Sequence, residues 1–114
     1  MIGTTADEVH AFTLARDPES EKKSAAMQLA RYDWPAQEFA ARTQEAGCPT
    51  WKYRFMWKAP DSVYDSCHTI ELPFVFGTLK AWEKAAMLSG ATQEEMLRLQ
   101  KNDADVVDQI LQRW

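Results

Sequence analysis

Apolar and polar residues alternate from Thr50 to Lys58, in "TWKYRFMWK". Trp51, Tyr53, Phe55 and Trp57 hold one set of positions, and Lys52, Arg54, Met56 and Lys58 hold the other. A period of two is that of a β-strand, so one clear strand is predicted over about 50–58, aromatic on one face and mostly basic on the other. Pro60 closes it. Upstream, residues 19–46 are rich in Ala and poor in β-branched side chains, which favours helix. Pro35 would cost a hydrogen bond in a helix interior but suits a first turn, so two helices are predicted to meet there. Gly47 reads as the stop of the second.

Downstream, "TQEE" at 92–95 has the form of a capping box, in which Thr92 and Glu95 each satisfy a free backbone donor. Val106, Val107, Ile110, Leu111 and Trp114 recur at helical spacing as one apolar stripe. At the start, "MIGTTADE" reads as the last residues of a strand entering a polar turn. The pattern as a whole predicts a helix-rich α+β chain, residues 1–114 forming a single domain with helices on either side of the strand.

Length agrees with one domain, since 114 residues are too few for two. The composition, 46% apolar and 26% charged, is that of a globular chain. The net charge is −4 with basic residues scattered, so no concentrated basic surface exists to bind nucleic acid. No apolar run approaches the ~20 residues that span a bilayer, and "MIGTTADEVH" lacks the form of a signal peptide. Cys48 and Cys67 have neither metal nor disulfide spacing, so two reduced thiols in a cytoplasmic chain are expected. The aromatic row is read first as core packing, with a stacking platform for ligands as the alternative.

The candidate chemistry lies in "SCHTIELPFVFGTL", Ser66 to Leu79, where a histidine precedes an apolar run. A catalytic histidine needs a carboxylate to orient its ring and a nucleophile within reach. By itself His68 is read as a structural histidine. Cys67, His68 and Glu71 supply too few ligands to close a metal site, so neither a metal nor a cofactor is expected. Adjacent Cys67 and His68 do not make a nucleophile pair, because neighbouring side chains rarely face each other.

The residues do resemble a known family. "CHTIELPFVFGTL" is similar to the segment around the catalytic histidine of type-B carboxylesterases, the para-nitrobenzyl esterase and cholinesterase group of α/β-hydrolases. "YRFMW" resembles that family's preceding strand, "IGTTADE" the turn that carries its catalytic acid, and "VVDQILQRW" the start of its C-terminal helix. The resemblance implies the C-terminal portion of an α/β-hydrolase, with Glu8 as triad acid, His68 as general base and Glu71 as a buried polar support. Departures from the pattern matter as much. No G-x-S-x-G elbow and no glycine-rich oxyanion segment occurs, the Glu8–His68 interval is short, and Val9 stands where the family has Gly.

Without a nucleophile, hydrolysis by the chain alone is not expected. The first functional expectation is therefore a truncated, carboxylesterase-like chain that is not catalytic by itself. A small binding or interaction protein, with an aromatic-lined pocket for a small apolar ligand or ester, is the alternative. An ester hydrolase completed by Ser66, Ser62 or a partner chain is the third. Opening a sheet exposes strand edges and apolar faces, so a symmetric homodimer is expected, with Trp51, Tyr53, Phe55 and Trp57 at or near its interface.

Overall fold

The computed structural model describes residues 1–101 together with 112 and 113. The predicted apolar stripe of Val106, Val107, Ile110, Leu111 and Trp114 lies outside the described residues. Three strands form one sheet in the order β1 (Ile2–Thr5), β2 (Trp51–Phe55), β3 (Gln112–Arg113). β1 and β2 run parallel, in register from Ile2 opposite Lys52 to Thr5 opposite Phe55. β3 pairs antiparallel with the other side of β2, Trp51 opposite Arg113. Alternation therefore located the central strand. Its length is set by its partner: the Ala6 amide bonds to the Phe55 carbonyl at 2.8 Å, and the chain then turns away at Asp7. Pairing stops there, three residues short of Lys58.

A parallel pair needs a long crossover, and helices supply it. α1 spans Pro18–Gln28 and α2 spans Trp34–Glu45. Asp17 caps α1 by accepting from the Ser20 amide at 3.0 Å, with Pro18 in the first turn. Between the two helices, Leu29–Asp33 form one π-helical turn, in which the Trp34 amide bonds back to the Leu29 carbonyl. The predicted break at Pro35 is thus a change of hydrogen-bond step rather than a loop. Proline lacks an amide donor, and the wide turn carries the chain into α2 with Pro35 in its first turn. Gly47 ends α2 at φ +81°, as predicted.

Small residues set how closely the layers pack. Ala36 and Ala40 are the buried positions of α2, which contacts both β1 and β2. Gly3 faces Tyr53 across the strands, and any Cβ at Gly3 would collide with the Tyr53 ring. The main core lies beyond β2 and is built from short pieces. Cys67, Ile70, Phe74, Leu79, Leu88 and Met96 form it, drawn from the loop after β2, α3 (Leu72–Val75), two 3₁₀ turns and α4 (Gln93–Lys101). Thr92 accepts from the Glu95 amide at 3.1 Å, the N-cap half of the predicted box.

The aromatic row divides between environments. Phe55 and Trp57 pack on Phe74, with ring centroids 5.6 and 5.2 Å away. Tyr53 lies over Gly3, and Trp51 is partly exposed. The strand placed at or near a dimer interface has a neighbour from its own chain on each side, since β2 is the middle strand. Among the described residues the open edge belongs to β1. No helix among them is long and apolar enough to cross a membrane.

Candidate functional site

The carboxyl ends of β1 and β2 lie side by side because the strands are parallel, and each passes into a turn that carries an ionisable side chain. Beyond β1, residues Glu8–Ala11 form a 3₁₀ turn. Beyond β2, the loop reaches His68 through Ser66 and Cys67, both buried. Backbone bonds join the two: the Asp7 amide to the Ser66 carbonyl at 2.9 Å, and the His68 amide to the Glu8 carbonyl at 3.4 Å. Asp7 also accepts from the Ser66 amide, and the Ser66 hydroxyl donates to the Phe55 carbonyl at 2.8 Å. These bonds clamp the two loops together independently of the Glu8 and His68 side chains.

Glu8 and His68 meet in this frame. Glu8 Oε2 lies 2.6 Å from His68 Nδ1, and Glu8 Oε1 accepts from the Thr5 amide at 2.7 Å. Both carboxylate oxygens are thus committed, and the Glu8 side chain is only 6% exposed against 45% for His68. With Nδ1 donating to Glu8, the other ring nitrogen, Nε2, is the one left to accept a proton. No described residue hydrogen-bonds to it. Thr69, the next residue, stands at φ +74°, a left-handed conformation that side chains other than glycine's rarely adopt. The rings of Phe12 and Tyr32 lie against the imidazole.

Glu71 is half-buried at the start of α3, and its Oε2 has no hydrogen-bond partner among the described residues. Burial, reinforced by the nearby charge of Glu8, holds its carboxyl above the usual carboxylate range. Tyr53 is likewise pushed up, first by burial and then by Glu71 and Glu8. Burial raises the Cys67 thiol to about 11, so it is no nucleophile at neutral pH. Ser66, weighed above as a nucleophile, is buried with its hydroxyl bonded to the backbone, and the Ser62 hydroxyl accepts from the Tyr64 amide at 3.2 Å. Neither serine is hydrogen-bonded to His68.

A second histidine cluster escaped the sequence reading. His10 Nδ1 lies 2.8 Å from Asp65 Oδ2, and its Nε2 is 3.5 Å from Glu21 Oε1. Arg16 and Lys58 also approach Asp65. Hydrogen bonds and charge from Lys58 and His10 outweigh partial burial and keep the Asp65 carboxyl below its ordinary value. Through its Nδ1 contact with Asp65, His10 latches the turn after β1 to the loop after β2. A cavity of about 250 Å³ beside it, lined by Asp7, His10, Glu21 and Gln28 among others, touches neither Glu8 nor His68. Nothing in "EVHAF" or "VYDSC" announces this pairing. Among the described residues no group of three or more His, Cys, Asp or Glu is placed to hold a metal ion.

No protein-family profile matches the chain, and no solved structure matches it. It is 32% identical over 109 residues to a probable N-octanoylanthranilate hydrolase of Rhodococcus erythropolis, covering 84% of this chain and 24% of that protein. It is 42% identical over 53 residues to the para-nitrobenzyl esterase of Bacillus subtilis, covering 46% of this chain and 11% of that protein. The chain therefore spans about a quarter or less of the curated relatives that it matches. These likenesses are to hydrolases and esterases, at low identity and over part of their length.

Proposed function

We propose that this chain is the acid–histidine part of a serine carboxylic-ester hydrolase site, with the nucleophile carried on residues outside these 114, and that alone it does not cleave esters. The observation that carries the reading is the buried Glu8 carboxylate, held by the Thr5 amide and 2.6 Å from His68 Nδ1, with no described residue hydrogen-bonded to Nε2. Supporting it, acid and histidine sit at the carboxyl ends of neighbouring parallel strands, where open α/β sheets place their sites. The two relatives described above support the same reaction class.

In this reading Nε2 removes the proton from an attacking serine hydroxyl and later gives it to the departing alkoxide. Glu8 keeps the proton of the neutral ring on Nδ1 and stabilises the imidazolium formed in between. The chain corresponds, in this reading, to the C-terminal portion of an α/β-hydrolase. Its substrate class is esters or amides of aromatic compounds, by analogy with what the two relatives' names describe.

The test is a chimera in which this chain replaces the matching segment of the Bacillus subtilis para-nitrobenzyl esterase. Hydrolysis of a para-nitrophenyl ester and labelling by a fluorophosphonate probe are expected. His68→Ala should lower the rate by roughly 10⁶-fold and Glu8→Gln by roughly 10⁴-fold. The chain alone should not label. A soluble, monodisperse chimera that stays inactive, or one whose activity survives His68→Ala, would sink the proposal.

A further inference from the structure

His68 is fixed at one point of its ring. Glu8 holds Nδ1, but with the side chain 45% exposed, water competes for the same donor. Rotation about the bond to the ring would break that hydrogen bond. Two aromatic rings stand against that rotation. Phe12 lies with its centroid 5.8 Å from the imidazole at 39°, and Tyr32 at 5.7 Å and 47°. Both fall within the range in which aromatic pairs attract.

The way these rings arrive is unusual. Phe12 is 67% exposed, a large apolar ring kept beside a polar one, at the end of the 3₁₀ turn that carries Glu8. Tyr32 belongs to the π-helical turn Leu29–Asp33. Single π turns inside helices are uncommon and often mark functional positions. A residue advances an α-helix by about 100°, so without the wide turn Tyr32 would face elsewhere.

We infer that Tyr32, delivered by the π turn, and Phe12 are positioning residues for His68, an inference that rests on the acid–histidine reading above. Their rings hold the imidazole in the orientation Glu8 accepts from and shield the Nδ1–H···Oε2 bond from water, while Nε2 stays free to act. Neither residue touches the reacting atoms.

The test is imidazole ¹⁵N–¹H NMR on the 114-residue chain, whose two histidines give two ring systems. His10, held by Asp65, is the internal reference. In the unaltered chain the His68 proton is expected on Nδ1, exchanging slowly with water. Tyr32→Ala should speed that exchange roughly three- to tenfold, the factor an aromatic contact carries, and move the tautomer balance toward Nε2–H. The His10 signals should not move, Tyr32→Phe should restore the original behaviour, and Phe12→Ala should act like Tyr32→Ala. Tyr32→Leu keeps apolar bulk without a ring face, so it serves if the alanine variant does not fold and should lose the protection as well.

A His68 signal unchanged in the Ala or Leu variant, or an equal change at His10, refutes the positioning role and leaves the acid–histidine pair standing. A proton found on Nε2 in the unaltered chain refutes the pair itself, and the inference with it.

Discussion

Cys67 and Cys48 sit in opposite surroundings, one buried and the other exposed. Burial raises the Cys67 thiol to about 11, with the carboxylates of Glu71, Glu8 and Asp65 adding to the effect. At pH 8 only ~10⁻³ of such a thiol is ionised, and the thiolate is the species that reacts. Dithiobis(nitrobenzoate) should therefore titrate one thiol rapidly in the folded chain and the second only in denaturant. Two rapid equivalents would contradict the burial. Glu71 makes a pH prediction of the opposite kind. Its carboxyl is raised by desolvation, so the folded state binds a proton before the unfolded state does. Stability from this group should rise as pH falls through its folded value, and be complete below the ordinary value of 4.5. Above that window the charged carboxylate opposes folding. Glu71→Gln should then be more stable than the unaltered chain at pH 7 and lose that advantage near pH 4, as read from urea melts at the two pH values. A Gln variant less stable at pH 7 would give Glu71 a stabilising role as an anion. These side chains were legible unequally. Glu8 and His68 stood out through motif resemblance, whereas His10 and Asp65 lie in segments with no motif, and only the fold brings them together.

Among the elements, the ones with a complete local signal were legible. β2 announced itself by alternation, and α2 by its composition, Pro35 and Gly47. Gly47 shows why such a signal is reliable: its φ of +81° suits glycine, and a Cβ there would meet nothing within 4 Å. Gly47→Ala should therefore cost about 1 kcal/mol from backbone conformation alone, measured by urea denaturation, with no change in structure. A neutral substitution would mean that the chain relaxes out of the left-handed conformation. The π turn at Leu29–Asp33 had no such signal, because its residues are ordinary helix formers and the wide step answers a proline in the next turn. β1 was hard to read for a different reason. Four residues are too few to display a period, and β1 becomes a strand by pairing with residues fifty positions away. The core after β2 was equally hidden. Cys67 and Ile70 sit in a loop, and Phe74, Leu79 and Leu88 on turns of three or four residues, too short for any helical stripe to show.

At the scale of the molecule, the resemblance singled out Glu8 and His68, and the parallel pairing of β1 with β2 explains how their two turns meet at one end of the sheet. That same sheet leaves a surface unsatisfied. A strand at the edge of a sheet leaves a row of backbone N–H and C=O groups unpaired, and β1 pairs on one edge only among the described residues. Leu29 and Trp34, both largely exposed, line a groove of about 370 Å³ together with Thr4 of β1 and Tyr53 of β2. An open backbone edge beside exposed apolar side chains favours pairing with another copy, and a two-fold axis perpendicular to β1 would pair the two edges antiparallel and satisfy both copies at once. The expected state is a homodimer joined through β1 rather than through the aromatic row of β2, whose edges are taken. Light scattering should report twice the 13.1 kDa chain mass at micromolar concentration, falling toward one chain on dilution. Ile2→Lys places a charge on the edge strand and should shift the equilibrium to monomer without lowering helix content. A single-chain mass at every concentration would assign that edge to a different partner, and in the reading above the nucleophile-bearing residues have to dock somewhere near the carboxyl end of the same strand.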